Sequence, residues 1–377
     1  MVQKKFYPIS QPSITELEIK YVNEAVSSGW VSSLGKFIID FEKEFASFCN
    51  AKYALTANNG TTGLHLALET LKIGKGDEVI IPDLTFIATA NAVSYTGAKS
   101  IPVDIDPNNL CINPEQIKKA ITSKTKAIMP VHIYGHPADM DAINAIAKEN
   151  GLVVIEDAAE AHGAEYKGQV VGGLSDFGVF SFYGNKIITT GEGGMLVTNN
   201  KEFYERAKFL RDHAMSPDRR YYHPEIGFNY RMTNIQAAMG LAQMKRIKDI
   251  LKHRENLFSW YKKYLDADKT IRLNYTEPWA KNAYWLICIE IDALEGNNKR
   301  SLLMDDLKAK GIDTRPYFIP VSGMPMYKNR KNPISEKKSS IGLNLPTYFA
   351  LTEEDVEHIC NILNSEIKKI NHCLTLL

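Results

Sequence analysis

The stretch "DEVIIPDLTFIATANAVSYTGAKSIPV", residues 77–103, decides the fold class. It begins with an apolar segment that a proline closes at residue 82, continues with helix-forming residues over 85–96, and ends in an apolar segment at 99–103. The outer segments are typical of short buried strands, and the middle one is typical of a helix. A strand, a helix and a second strand in this order predict a βαβ unit and a mainly parallel sheet.

The same alternation extends through the first 245 residues of the chain. Besides this unit, the pattern predicts helices over 14–28, 36–49, 63–72 and 137–150 and strands over 126–135, 152–159 and 176–182. Ligands bind beyond the carboxyl ends of parallel strands, so the polar residues that follow these strands are the candidates for function.

The pattern changes past about residue 245. The rest predicts a long basic amphipathic helix over 243–265, a strand over 283–291, a helix over 300–311, a polar loop over 327–340 and a final helix from 352. We therefore expect an α/β large domain over 1–245, which includes the N-terminal segment, and a smaller α+β domain over 246–377.

Composition excludes several classes of protein. The 377 residues carry 45 basic and 44 acidic side chains, a net charge of +1 that gives no electrostatic case for binding nucleic acid or an anionic membrane. No apolar run approaches the roughly 18 residues that span a bilayer, and the N-terminus lacks the apolar core of a secretory signal. The five cysteines have no CxxC spacing, so we expect reduced thiols, no metal site and a cytoplasmic location.

A helix start with phosphate-binding character lies in "ANNGTTGLHLA", residues 57–67. Gly60, Thr61 and Thr62 would present backbone N–H groups, two hydroxyls and the positive end of a helix dipole. An ordinary capped helix explains the same residues, so this segment alone does not decide between the two.

Two further residues lie at or just past the carboxyl ends of predicted strands. Asp157 ends the strand in "IEDAAEAHGA" (155–164), and Lys186 follows the strand in "FSFYGNKIITTGEGGM" (180–195). The alternative to a functional role is that Asp157 and Lys186 are an ordinary aspartate and lysine on the surface. His162, one turn past Asp157, could reach the same pocket, although a lone histidine there is more often structural.

Together, the helix start, the carboxylate and the lysine provide what pyridoxal 5′-phosphate (PLP) needs. The aldehyde of PLP forms a Schiff base with a lysine amine, and its pyridine nitrogen needs a carboxylate to stay protonated. The phosphate needs N–H and hydroxyl donors. Phe86, just past the strand at 77–82, is placed to cover the ring.

With these residues in place, the sequence resembles the DegT/DnrJ/EryC1/StrS family of sugar aminotransferases. The resemblance covers almost the whole chain, through blocks that include "SGWVSSLG", "NNGTTGLHLAL", "GDEVIIPDLTFIATANAV", "PVHIYGHPADMDAI", "VIEDAAEAHGA", "SFYGNKIITTGEGGM" and "GFNYRMTNIQAAMGLAQ". It implies the PLP fold-type I, aspartate aminotransferase-like class, with a central mainly parallel sheet and a smaller C-terminal α+β domain.

The resemblance also implies roles for single residues. Lys186 would carry the cofactor, and Asp157 would pair with the pyridinium. Glu160 stands beside the cofactor's 3′-oxygen, where many members have glutamine. The other implied cofactor contacts are ring stacking by Phe86 and phosphate binding by Thr61, Thr62, Ser181 and Asn229. Asn229 would reach the phosphate from the partner subunit, so the resemblance implies a homodimer with a shared active site.

Within the family, Glu160 and the segments 183–194 and 211–234 are most similar to a branch that aminates C4 of GDP-4-keto-6-deoxy-D-mannose. This branch uses L-glutamate as donor and serves the synthesis of O-antigen and other surface polysaccharides. A sister branch of 3-dehydratases has histidine in place of the lysine, so Lys186 favours transamination. The candidate contacts to the nucleotide sugar are Trp30, Arg219, Arg220 and Arg315, and a solvated basic turn explains Arg219 and Arg220 equally well.

Three other functions stay open at this stage. The acceptor could be a UDP- or dTDP-linked keto sugar instead of a GDP-linked one. The chain could be a non-catalytic PLP-fold regulator, although no DNA-binding extension is evident. It could also act on an amino acid, with Arg315 clamping the α-carboxylate.

Overall fold

The computed structural model describes residues 5–296, 298–328 and 331–375. Its α-helices are α1 Glu16–Ser27, α2 Lys36–Phe48, α3 Gly60–Thr70, α4 Ala88–Tyr95, α5 Pro114–Ala120, α6 Met140–Asn150, α7 Lys201–Arg211, α8 Asn234–Lys245, α9 Ile247–Leu265, α10 Lys299–Ala309, α11 Pro333–Ile341 and α12 Glu353–Thr375. Its strands are β1 Tyr53–Ala57, β2 Glu78–Pro82, β3 Lys99–Val103, β4 Thr125–Ile128, β5 Val153–Asp157, β6 Glu165–Tyr166, β7 Gln169–Val170, β8 Phe177–Ser181, β9 Gly194–Thr198, β10 Ile271–Leu273, β11 Ala280–Lys281, β12 Ile287–Ile291, β13 Arg315–Pro316 and β14 Gly342–Leu345.

The central sheet has seven strands in the order β1-β9-β8-β5-β4-β2-β3. Strand β9 pairs antiparallel with β1 and β8, and the other neighbours are parallel. The predicted βαβ unit is β2, α4 and β3, with β2 and β3 adjacent and in register from Glu78 with Lys99. The mainly parallel sheet is thus confirmed.

Apolar side chains cover both faces of this sheet. In β5, Val154 joins the cluster on one face and Ile155 the cluster on the other, as the alternation of a strand requires. Strand β2 alternates in the same way, with Ile80 on the first face and Ile81 on the second. Burial on both faces explains why these strands are continuous apolar runs.

The C-terminal part is built on a second sheet, in the order β10-β12-β14-β13, whose pairs are all antiparallel. Its apolar cluster includes Leu257 of α9, Ile289 of β12 and Leu363 of α12. Tyr7 belongs to the same cluster, and its N–H donates to the Gly311 carbonyl at 2.8 Å. The helix break between α8 and α9 falls at Arg246, and the division of the chain at residue 245 stays a prediction.

The polar loop predicted over 327–340 is wrong for its second half, which forms α11. The Asp104 carboxylate caps this helix by accepting the N–H groups of Ile334 at 3.0 Å and Ser335 at 2.8 Å. The cap comes from a residue far away in sequence, so local composition could not reveal it. Asn329 and Arg330 of the predicted loop lie outside the described residues.

Cys49, Cys111, Cys288 and Cys360 are free and buried, and the side chain of Cys373 lies outside the described residues. Over those residues, no helix is long and apolar enough to cross a membrane. The same part of the chain has no cluster of three His, Cys, Asp or Glu side chains that could hold a metal ion.

Candidate active site

Helix α3 begins against the end of β8. Asn59 caps it, because its side-chain oxygen accepts the N–H of Thr62 at 2.9 Å. A Cβ on Gly60 would lie 2.9 Å from the Cβ of Ser181, so glycine allows the helix to start this close to the strand. The first N–H groups of the helix and the Ser181 hydroxyl therefore share one small region.

Asp157 is the last residue of β5 and is 5% exposed. Its carboxylate accepts the hydroxyl of Thr89 at 2.8 Å and the N–H of Ala159 at 3.2 Å. Burial raises the pKa of Asp157, and these two hydrogen bonds oppose the rise. A cationic partner would relieve the cost of keeping this carboxylate charged.

Lys186 lies in the segment that connects β8 to β9. Its Nζ is 3.9 Å from Glu160 Oε1 and 3.9 Å from the ring centroid of Trp285. The side chain is 10% exposed. Burial lowers the pKa of the Lys186 amine, while the carboxylates of Glu160 and Asp157 oppose the change. A lowered pKa makes the neutral, nucleophilic amine more accessible near neutral pH.

Glu160 stands between the lysine and a tight turn at 133–135. Its Oε2 accepts the N–H of Tyr134 at 2.8 Å. Burial raises the pKa of Glu160 from its usual value near 4.5 to about 7, and the Lys186 charge opposes this rise. Glu160 is thus protonated more readily than an exposed glutamate.

The residues predicted for the cofactor, apart from Asn229, meet at one cavity of about 550 Å³, a size typical of small-ligand sites. They are Thr61, Thr62, Phe86, Asp157, Glu160, Ser181 and Lys186. Phe86 is 54% exposed and lies with its ring centroid 5.8 Å from that of Phe318. The structure therefore brings together residues that are as many as 125 positions apart in sequence.

The substrate candidates lie outside this cavity. Arg315 lines an adjoining cavity of about 740 Å³, which also contains Phe86, Trp285 and Phe318, and it donates to the Asp313 carboxylate at 2.6 Å. Trp30, Arg219, Arg220 and Asn229 line neither of the two cavities in their own chain. Trp30 is 59% exposed, Arg219 and Arg220 lie over the rings of Tyr222 and Tyr221, and Asn229 is exposed on a segment that pairs with Asp212.

His162 belongs to the core rather than to the cavity wall. Its ring is fully buried among Phe45, Phe180 and Phe182, with centroid distances of 6.5, 5.3 and 5.6 Å. A hydrogen bond with the Ser181 backbone partly opposes the effect of burial on the pKa of the ring. Burial lowers the pKa of His162 to about 3, so the ring stays neutral, which favours the structural interpretation.

Sequence reasoning missed several cavity residues, including Asn185, Trp285 and Phe318. Asn185 directly precedes the lysine and could have been suspected from that position. Trp285 and Phe318 come from the C-terminal part, about a hundred residues further along the chain, and no local pattern marks them.

The arrangement fits PLP in the chemistry of its donor sets. Gly60, Thr61 and Ser181 could supply N–H and hydroxyl donors for a phosphate. Thr62 lies beside them, with its N–H donated to Asn59 and its hydroxyl to Asn58. Asp157 could supply the carboxylate for a pyridinium, and Lys186 could supply the amine. All four requirements, including the flat Phe86 ring, are met in one cavity.

Comparison with known sequences agrees with this fit. The profile of the DegT/DnrJ/EryC1/StrS aminotransferase family matches residues 12–364. A GDP-perosamine synthase of Escherichia coli O157:H7 is 46% identical over 362 residues, which cover 96% of this chain and 98% of that protein. A GDP-perosamine synthase of Caulobacter vibrioides is 45% identical over 361 residues, covering 94% of this chain and 97% of that protein.

Solved structures show the same architecture. The putative sugar aminotransferase Spr1654 of Streptococcus pneumoniae, in its PMP form, has a TM-score of 0.94 at 26% identity, covering 98% of this chain and 100% of that one. S. venezuelae DesV, in complex with a ketimine intermediate, has a TM-score of 0.87 at 34% identity, covering 92% and 93%. The predicted fold-type I aminotransferase class is confirmed.

Proposed function

Because the chain belongs to the DegT/DnrJ/EryC1/StrS aminotransferase family, we propose that it transfers an amino group from L-glutamate to C4 of a nucleotide-linked 4-keto-6-deoxy sugar. The proposed acceptor is GDP-4-keto-6-deoxy-D-mannose, and the product is GDP-perosamine for a surface polysaccharide. The observation that carries this choice is the 45–46% identity to GDP-perosamine synthases over nearly the full length of both chains. The protein is a PLP-dependent aminotransferase of sugar substrates.

The roles proposed for the cavity residues follow from their chemistry. When bound, PLP supplies an aldehyde that condenses with amines and a pyridinium ring that accepts electrons. Asp157 keeps a proton on the ring nitrogen, because an ionised carboxylate in a buried site strongly favours a paired cation. The start of α3 and Ser181 bind the phosphate, and Phe86 covers one ring face.

Lys186 is proposed as the residue that binds the cofactor and moves protons. Its Nζ takes the proton that leaves Cα of the amino donor, and it runs the same transfer in reverse for the keto sugar. Glu160, with its oxygen 3.9 Å from Nζ, supports both protonation states of the amine because its own pKa lies near 7. The largely apolar surroundings limit the access of water to these transfers.

The homodimer is part of the same proposal. Asn229 is exposed and lies outside the cavities of its own chain, as expected for a residue that acts on the partner's cofactor. Arg219, Arg220 and Trp30 are exposed as well, and Arg315 lines the adjoining cavity. Guanidinium groups suit the diphosphate of a nucleotide sugar, since they bind its oxygens in pairs.

The experiment is a panel of GDP-, UDP- and dTDP-linked 3-keto and 4-keto sugars, each incubated with the purified enzyme and ¹⁵N-labelled L-glutamate. We expect ¹⁵N at C4 of the GDP sugar, identified by mass spectrometry and NMR. Faster labelling of a UDP or dTDP sugar would move the assignment to another nucleotide. An absence of labelling in every acceptor would favour a regulator over an enzyme.

A further inference from the structure

Trp285 forms part of the wall between the cofactor cavity and the adjoining cavity. It is 4% exposed, and its ring faces the Lys186 amine at 3.9 Å. A cation over an indole face at this distance is attracted by the ring's quadrupole, and the attraction is stronger in a dry site. The amine therefore has two partners, the indole face and the Glu160 carboxylate.

Hydrogen bonds hold Trp285 from three directions. Its Nε1–H donates to the Asn185 carbonyl at 2.8 Å, and its backbone N–H donates to the Tyr134 carbonyl at 3.1 Å. Its own carbonyl accepts from the buried guanidinium of Arg254 at 2.5 Å. Because these bonds already order Trp285, little further conformational entropy is lost when the flexible Lys186 side chain packs against it.

The backbone at Trp285 packs closely against the turn that contains Tyr134 and Gly135. A Cβ on Gly135, whose φ is +102°, would lie 2.9 Å from the Trp285 nitrogen. Tyr134 stacks on the indole with a centroid distance of 6.1 Å and an angle of 17°, and its N–H holds Glu160. The two partners of the amine are thus fixed relative to each other through Tyr134.

We propose that Trp285 is a positioning residue, whose indole face holds the Lys186 amine beside Glu160 while that amine is free of the cofactor and carries the proton that it has taken. This inference rests on the proposed function, in which Lys186 is the reacting amine. Each half-reaction must free the lysine and then use it as a proton carrier. A fixed resting place keeps the freed amine close to the atoms between which it moves protons.

The other titratable groups around the amine are Asp157 and Glu160 on the β5 side, Tyr95, Tyr183 and Glu192 in the cavity wall, and the neutral His162 behind them. Loss of the indole face removes a contact that favours the charged amine and leaves these groups in place. The pKa of the lysine should then fall.

The test uses the full-length protein stripped of cofactor. The rate at which added PLP restores visible absorption is measured from pH 6 to 10, since capture needs the neutral amine. In Trp285→Leu we expect the midpoint of the acid limb to fall by about one pH unit and the single-turnover rate with glutamate to fall about tenfold. Trp260→Leu, a half-buried tryptophan outside both cavities, should match the wild type.

Fluorinated tryptophans provide a second measurement that preserves side-chain shape. Each added fluorine weakens the negative face of the indole, so the midpoint should fall stepwise along the series. In a Trp285→Phe background, the pH midpoint should not change along the series. That result would assign the effect to Trp285 rather than to the other three tryptophans. A level series in the wild type, or an unshifted midpoint in folded Trp285→Leu, would overturn the inference. Covalent capture by Lys186→Ala would instead overturn the proposed function.

Discussion

At the residue scale, the proposed mechanism depends on the charge of Asp157. In Asp157→Asn the cavity keeps its shape, but no carboxylate holds a proton on the ring nitrogen. We expect kcat for amine transfer to fall about 10²-fold, as for loss of a hydrogen bond between charged groups in a buried site. Steady-state kinetics check this expectation.

Thr89→Val provides a matched control for that substitution. It removes one donor, now 2.8 Å from the carboxylate, and leaves the carboxylate itself in place. We expect only a few-fold loss of kcat, in keeping with about 1 kcal/mol for one hydrogen bond. Equal losses in the two variants would contradict the role of the Asp157 charge.

Glu160 makes the stability of the cofactor-free protein depend on pH. Because burial raises its pKa from about 4.5 to about 7, the folded state binds more protons than the unfolded state across that window. The free energy of unfolding should therefore fall as pH rises from 4.5 to 7, by up to about 3 kcal/mol. Glu160→Gln removes this contribution.

Denaturant unfolding at pH 5 and pH 7.5 measures the effect. The free energy of unfolding of Glu160→Gln minus that of the wild type should be larger at pH 7.5 than at pH 5. A difference between the two proteins that does not change with pH would show that Glu160 does not titrate in this window.

At the residue scale, sequence reasoning found the lysine and the aspartate because each follows a predicted strand, where local pattern indicates both burial and edge position. It could not find Trp285 or Phe318. Their contacts depend on how the C-terminal part packs against the large sheet, and the turn at Tyr134 and Gly135 that fixes Trp285 was predicted as part of a strand.

Among the elements, helix α3 packs against the large sheet and also lines the cavity with its first residues. In Gly60→Ala the new Cβ would meet Ser181, and such overpacking costs about 1–3 kcal/mol. We expect lower stability and also weaker retention of PLP, because the helix start would move away from the phosphate. Thermal unfolding and a cofactor-binding titration measure the two effects separately.

Gly63→Ala is the control on the same helix. Its Cβ would meet Val179 at 2.8 Å, so the loss of stability should be similar, but Gly63 does not line the cavity. If both variants lost affinity for PLP equally, the start of α3 would have no special part in binding it.

Five strands of the large sheet, β2, β3, β4, β5 and β8, could be predicted from their buried apolar runs, whereas β1 and β9 were missed. Element ends were less predictable, since they depend on capping residues, some next to the helix and some far away in sequence. Helix α6 was expected from Pro137 but begins at Met140 behind the Asp139 cap. Helix α11 was missed because its cap, Asp104, lies in another part of the chain.

For the whole molecule, the proposed sharing of the active site between two subunits predicts complementation between inactive subunits. Lys186→Ala and Asn229→Ala should each be inactive or nearly so as homodimers. In a mixed dimer, one site would have an intact Lys186 and an intact Asn229 from the partner. Random mixing should restore about a quarter of wild-type activity, because half of the dimers are mixed and each has one complete site.

The control mixes two tagged copies of Lys186→Ala, which should stay inactive. A mixture of the two different variants that exchanges subunits but recovers no activity would contradict the role of Asn229 across the interface. Sequence alone suggests this interface only through family resemblance, since one chain's pattern does not reveal which surface meets a second copy.

The central claim is that Lys186 carries the cofactor, and borohydride reduction followed by peptide mapping tests it most directly. Reduction fixes PLP to the lysine that holds it, and mass spectrometry of the digest then locates that lysine. We predict the label on the peptide that contains Lys186 in the wild type and no label at any site in Lys186→Ala. A label on another lysine, or a labelled Lys186→Ala protein, would contradict the account.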